Sequence, residues 1–456
     1  MADDPAHDLP SLIASVPRDP AGLDRRTSEA LHRKPFPVPG IVHEWELTNL
    51  LGRKGIGNLN YAFQLPAYHR LRVVDGDIYG AIAKLLRHFA SPESPDGFLR
   101  LVEPDRALRI AAGPSTALGQ LDLSTGSHAA YLEALGVTDG QGKPTTGGID
   151  GSGVTVLVVD SGSDANELRN PSLDFRDLVD DPPASAVDNS GHGTAMIKLI
   201  RAVAPQARIC AVRVFDTGSP ELSNVMAGII AGLAEFNPDV VSLSLGFPDL
   251  KSPCTICGSH AGNRSTMFQN LFTFIERLAN AGGNPDPVIV AATGNDHPNI
   301  GMYFPAAYTN DSILGVGAIT SGKQRSTFSN FDKSSGFFTV LPGGDWDYHQ
   351  NKQAEWVAEG KDASGNVTSY CVGTSPAAAY AAGLMALYRQ QIPRRGGSSA
   401  TSGGAPQSAA GGAANLVDEA SRQCVTLDLS PKHLPLEHGA GRLVFKTLTA
   451  GPRGGP

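Results

Sequence analysis

The sequence predicts an α/β protein: a doubly wound, mostly parallel sheet with helices on both faces, preceded by a small N-terminal α+β domain. Two observations carry this. Short, near-continuous apolar runs rich in β-branched residues recur at 154–160, 207–215, 240–245, 288–292 and 313–318. Strands of this kind are buried on both faces, as in a parallel sheet. Helix-patterned segments at 193–203, 223–236 and 266–281 fall between several of them, and alternation of strand and helix implies right-handed crossovers.

The chain has 456 residues, with 41% hydrophobic and 18% charged. That length suggests two or three domains and a large core. The net charge of −8 and the lack of a dense basic run argue against a nucleic-acid partner. No apolar run is long enough for a membrane-spanning helix. The acidic, proline-broken first residues lack the basic and apolar regions of a secretory signal, so a cytoplasmic location is expected. The five cysteines form no evident disulfide framework.

Residues 1–40 are proline-rich and polar, and an extended or flexible arm is expected. Residues 41–120 read as the small N-terminal domain and a linker. Within them, 78–89 has helical spacing, while 98–102 and 107–111 read as short strands. Residues 121–450 form the larger domain. Its segment 394–415 is rich in Gly, Ser and Ala and reads as a flexible insertion.

The chemistry concentrates at strand ends and helix starts. Asp160 ends the first parallel run, and His192 lies between Gly191 and Gly193 before a helix. Asn295 closes the run Val290-Ala291-Ala292-Thr293-Gly294, and Ser375 opens a run of small residues that reads as a buried helix. Each has a plain alternative: turn former, loop histidine, turn asparagine, helix cap. Together they supply the roles of nucleophilic acyl transfer. A serine hydroxyl needs a base to take its proton. An aspartate orients that base, and an amide donor stabilises the oxyanion by about 3 kcal/mol. The order Asp, His, Ser is that of subtilisin, and no Gly-x-Ser-x-Gly elbow surrounds Ser375.

With these motifs in order, the chain resembles the subtilisin-like serine proteases, the subtilases, over roughly residues 125–447. Val154 to Gly162, Gly191-His192-Gly193-Thr194 and Gly373-Thr374-Ser375 resemble the family's aspartate, histidine and serine motifs. Ser242 to Gly246 resembles the substrate-binding strand, with Ser244, Leu245 and Gly246 in the segment that pairs with substrate backbone. Ala292, Thr293 and Gly294 resemble the opposite wall of the specificity pocket, and Asn295 the oxyanion asparagine. His438-Gly439-Ala440-Gly441 resembles the closing segment. The resemblance implies a serine endopeptidase acting on polypeptides, with Asp160, His192 and Ser375 as triad and no cofactor. It also suggests that the N-terminal domain is a propeptide or a retained regulator. The alternative is a silent or occluded scaffold on the same fold. Pro376 and Ala379 depart from the family's serine motif, although proline is well tolerated in the first turn of a helix. Cys254, Cys257 and His260 have the types of three zinc ligands without an evident fourth. A reduced loop or redox pair is the preferred reading, and no metal is assigned. No calcium loop is recognisable.

Overall fold

The computed structural model describes residues 11–16, 23–89, 99, 101–110, 121–122, 126–181, 185, 187–247, 265–281, 285–296, 301–320, 324–331, 338–342, 358–361, 364, 367–394, 412–422 and 442–446. Cys254, Cys257, His260, the segment 395–411 and positions 438–441 lie outside them.

The N-terminal unit contains β1 (Ser11–Val16), α1 (Leu23–Leu31), β2 (Ile41–Glu46), α2 (Leu47–Arg53), β3 (Ala67–Val73), α3 (Ile78–His88) and β4 (Leu101–Pro104). Its sheet has the order β2-β3-β1-β4, with every pair antiparallel. The expected arm over residues 1–40 is therefore corrected for 11–16 and 23–31. Ser11 to Val16 is buried along its whole length between β3 and β4. The burial of Leu12, Ile13, Ala14 and Val16 outweighs the surrounding proline signals.

The two faces of this sheet have different partners. Leu12, Ala14, Leu71 and Val73 pack under α1 and α3 with Leu31 and Leu85. Ile13 and Tyr68 face the other way, into a core shared with Leu50, Leu51 and the larger domain.

Then come β5 (Arg109–Ile110), β6 (Leu121–Asp122) and α4 (Gly126–Ala134). The larger domain continues with β7 (Thr155–Asp160), β8 (Leu173–Asp177), α5 (His192–Val203), β9 (Arg208–Arg213), α6 (Leu222–Phe236), β10 (Val240–Leu243) and β11 (Leu245–Gly246). It ends with α7 (Thr266–Asn280), β12 (Val288–Ala292), β13 (Ile313–Ile319), β14 (Phe338–Pro342), β15 (Ala358–Lys361), β16 (Val367–Cys371), α8 (Thr374–Gln391) and α9 (Ala413–Arg422).

Among the described residues, seven strands form one sheet in the order β14-β13-β12-β10-β7-β9-β8. Every neighbouring pair is parallel, as the apolar runs predict. Sequence reading missed β8 and β14. Edge strand β8 reads Leu-Asp-Phe-Arg-Asp, which carries charge and lacks the continuous apolar signature of a central strand. Helices α5, α8 and α9 cover one face, and α6 and α7 the other. From β7 the chain builds β9 and β8 on one side, then β10 to β14 on the other. The reversal falls between β7 and β10, the place where open α/β sheets collect ligand groups at the carboxyl strand ends. No helix of the described residues is long and apolar enough to cross a membrane.

Candidate active site

Asp160 is the last residue of β7 and is 1% exposed. His192 is the first residue of α5 and its Nδ1 lies 2.7 Å from Asp160 Oδ1. A carboxylate oxygen accepts, so Nδ1 carries the proton and the lone pair of the neutral ring sits on Nε2. Nε2 is buried without a partner among the described residues. The Ser161 amide also donates to Asp160 Oδ1, at 2.7 Å. Two donors thus hold the carboxylate that aims the imidazole.

Packing brings the next element in. Helix α8 is buried from Thr374 to Arg389, as expected of a helix with small or apolar residues all round. At Gly383 a Cβ would meet Val203 Cβ at 2.7 Å and the Ile200 carbonyl at 3.0 Å. Glycine there lets α8 lie directly on α5. Ser375 is fully buried, and its Oγ donates to the Ser244 carbonyl at 2.9 Å. Ser244 follows β10 and donates its own hydroxyl to the Ser375 carbonyl at 3.2 Å. The hydroxyl of Ser375 is thus turned toward the backbone of Ser244 in this arrangement.

Asn295 lies just past β12. Its Oδ1 accepts from the Thr374 amide and the Thr374 hydroxyl, both at 3.0 Å. That pair fixes the side-chain flip and leaves Nδ2 as the outward donor. Nδ2 is buried with no partner among the described residues. An unsatisfied buried donor costs about 1–3 kcal/mol, and an oxyanion beside Ser375 is the acceptor this chemistry suits. Thr374 Oγ1 also accepts from the Gly294 amide at 3.0 Å. The wall formed by Ala292, Thr293 and Gly294 is therefore tied to the start of the serine helix. Burial pushes the Cys371 thiol up to about 12, so this sulfur stays protonated near neutral pH.

The strand that follows Ser244 has a partner from the same chain. Leu245 and Gly246 pair antiparallel with Ile110 and Arg109 of the chain's own N-terminal segment. Arg109 is anchored to Asp296 at 2.9 Å, one residue beyond Asn295.

Several residues that position the site were not singled out from the sequence. Asp188 Oδ1 accepts from the Gly191 amide at 2.7 Å and the Ser161 hydroxyl at 2.8 Å. Its Oδ2 accepts from the Thr194 amide at 2.7 Å and the Thr194 hydroxyl at 2.6 Å. Ser161 Oγ accepts in turn from the Gly193 amide at 2.9 Å. One carboxylate thus caps α5 and ties it to the turn after Asp160. At Gly193 a Cβ would lie 2.3 Å from the Gly162 carbonyl, so only glycine permits this approach. The available signal was an Asp before a helix start with Thr in the first turn, a common capping pattern.

The model of the subtilase family (peptidase S8) matches residues 151–420, which include Asp160, His192, Asn295 and Ser375. The chain belongs to the subtilase family. Among its relatives, the thermophilic serine proteinase of Bacillus sp. (strain AK1) is 30% identical over 260 residues, covering 53% of this subtilase and 53% of that protein. Subtilisin E of Bacillus subtilis (strain 168) is 33% identical over 199 residues, covering 40% of this subtilase and 45% of that protein. The subtilase thus spans about half the length of these curated relatives. In structure it is similar to fervidolysin from Fervidobacterium pennivorans, with a TM-score of 0.57 at 17% identity, over 96% of this chain and 60% of that one. That likeness establishes the subtilisin-like fold.

Proposed function

We propose that this subtilase is a serine endopeptidase that cleaves polypeptides through an acyl-enzyme on Ser375. The observation that carries the reading is the pairing of an extended segment, Arg109–Ile110, with Leu245–Gly246. Those residues adjoin Ser244, whose carbonyl holds the Ser375 hydroxyl. A polypeptide recognised by strand addition would arrive beside the nucleophile in the same way.

Ser375 Oγ turns from Ser244 toward His192 Nε2, gives up its proton and attacks the carbonyl carbon of the scissile bond. Asp160 stabilises the imidazolium and keeps its tautomer. Asn295 Nδ2 and the first-turn amide of Ser375 donate to the oxyanion. The intermediate collapses as His192 protonates the leaving amine. Water, deprotonated by His192, then releases the acid and restores Ser375.

The same pairing supports a second part of the proposal: the N-terminal unit acts as an intramolecular inhibitor. Glu103 accepts from the Ser265 hydroxyl at 2.7 Å and the Thr266 amide at 2.8 Å, at the start of α7. Asp105 accepts from the Ser223 amide at 2.9 Å and its hydroxyl at 2.6 Å, at the start of α6. Negative side chains at helix N-termini are favourable, so this contact is specific as well as apolar.

The test is labelling with a fluorophosphonate probe together with mass spectrometry of the purified chain. Wild type should label and show a cut within residues 111–125, and Ser375→Ala should show neither. Full labelling of the Ser375→Ala variant would overturn the nucleophile. An uncut chain that is fully active on peptides would overturn the inhibitory role alone.

A further inference from the structure

Sequence reading passed over three histidines in the N-terminal unit. His32 follows α1, His43 lies on β2 and His69 on β3. One nitrogen from each lies within 4.8 Å of the other two. His69 is fully buried, in a stripe with Ala67, Leu71 and Val73 that is otherwise apolar. His43 is half-buried and His32 exposed. A fully buried histidine in an apolar stripe needs polar partners, and here two further imidazoles lie beside it along with the Ser28 hydroxyl.

We propose that His32, His43 and His69 form a binding site for a divalent transition-metal ion of the zinc class. Three imidazoles with an open fourth position for water suit zinc, and imidazole also suits copper and nickel. Zinc–nitrogen bonds of about 2.0–2.1 Å put tetrahedral ligand atoms about 3.4 Å apart. His43 Nε2 and His69 Nδ1 are already 3.2 Å apart.

The outer contacts fit as well. His32 Nδ1 lies 2.7 Å from the Ser28 carbonyl. A carbonyl only accepts, so Nδ1 carries the proton and Nε2 presents the lone pair. A ligand histidine whose other nitrogen donates to a backbone carbonyl is the usual metal arrangement. His69 Nε2 lies 3.4 Å from the hydroxyl of the same Ser28.

Backbone and cavity add support. β2 carries a bulge between His43 and Trp45, and bulges re-aim side chains. A cavity of about 660 Å³ opens beside His32 and His43 and is also lined by Trp45. A bound ion would tie the end of α1 to two strands of the sheet.

The experiment is a titration of the full chain, without a polyhistidine tag, with Zn²⁺ and with Co²⁺. The Ser375→Ala background keeps the chain intact. One ion per chain should bind, and the thermal midpoint should rise with its concentration, because the ion binds the folded state. Co²⁺ should give the d–d absorption of a tetrahedral site without a thiolate charge-transfer band. His32→Ala, at an exposed position, should keep the circular dichroism spectrum and weaken binding at least tenfold. The double variant Cys254→Ser and Cys257→Ser should bind unchanged. Absence of stoichiometric binding, full affinity in His32→Ala, or a thiolate band lost with the two cysteines would each overturn the site.

Discussion

The hydroxyl of Ser375 donates to the carbonyl of Ser244 at 2.9 Å. Ser375 and the segment that follows β10 are thus joined directly, while Leu245 and Gly246 pair with Arg109 and Ile110. Ser375 is 0% and His192 2% exposed, and Arg109–Ile110 lies along the strand that adjoins Ser244.

Loosening that segment should therefore raise reactivity. Glu103 and Asp105 each cap a helix of the larger domain, and loss of a cap costs about 1 kcal/mol. The combined variant Glu103→Ala and Asp105→Ala should label with a fluorophosphonate about 30-fold faster than wild type, since two caps give about 2 kcal/mol and about 1.4 kcal/mol is a factor of ten. The measurement is the initial labelling rate of intact chain. An unchanged rate would show that these caps do not control access.

Asn295 is assigned the oxyanion donor. Replacement by Ala should lower kcat about 10²–10³-fold with little change in KM, a range that subtilisin itself sets. Peptide hydrolysis by processed enzyme provides the comparison. A rise in KM at constant kcat would move Asn295 from the transition state to substrate binding.

Asp188 is a positioning residue for the Asp160–His192 pair. Asp188→Ala leaves the amides of Gly191 and Thr194 and the hydroxyl of Ser161 without this acceptor. It should cost about 1–3 kcal/mol in stability and lower kcat more than it raises KM. Asp188→Asn, which keeps one acceptor oxygen, should recover part of both. Denaturant unfolding and steady-state kinetics, run side by side, separate the two effects. A loss of stability with unchanged kcat in Asp188→Ala would make the residue purely structural.

His128 should give the fold an acid-sensitive step. Its Nδ1 lies 3.1 Å from the hydroxyl of Tyr380 on α8, and its ring stacks on that residue. Burial holds it down at about 4, against 6.5 for the ordinary group. In the unfolded chain it takes up a proton as pH falls through about 6.5, while in the folded chain it resists until about 4. The unfolded state binds more protons in that window, so stability falls as pH drops from about 6.5 to about 4. It flattens below. Unfolding free energies across this range should show a shallower slope for His128→Gln than for wild type. Equal slopes would remove His128 as a source of the acid sensitivity.

The four positions proposed as catalytic stand out in the sequence because each motif is local. Asp160 ends an apolar run, His192 sits between glycines, Asn295 follows Thr-Gly, and Ser375 opens a helix of small residues. The parallel sheet was legible for a related reason, since a strand buried on both faces leaves a continuous apolar run. Where the strand lies at an edge, as in β8, that signature fails.

The sequence by itself therefore determined the sheet class, the family and the order of the candidate groups. Tertiary structure decided how those groups are held and what covers them. Asp188 meets Ser161 across 27 residues, and Glu103 meets Ser265 across 162. The three histidines near Ser28 span positions 32 to 69. Capping, occlusion and ligand clustering depend on groups brought together by packing. A pattern with a period of two or 3.6 residues records which face an element buries, and carries no information on which distant side chain meets it there.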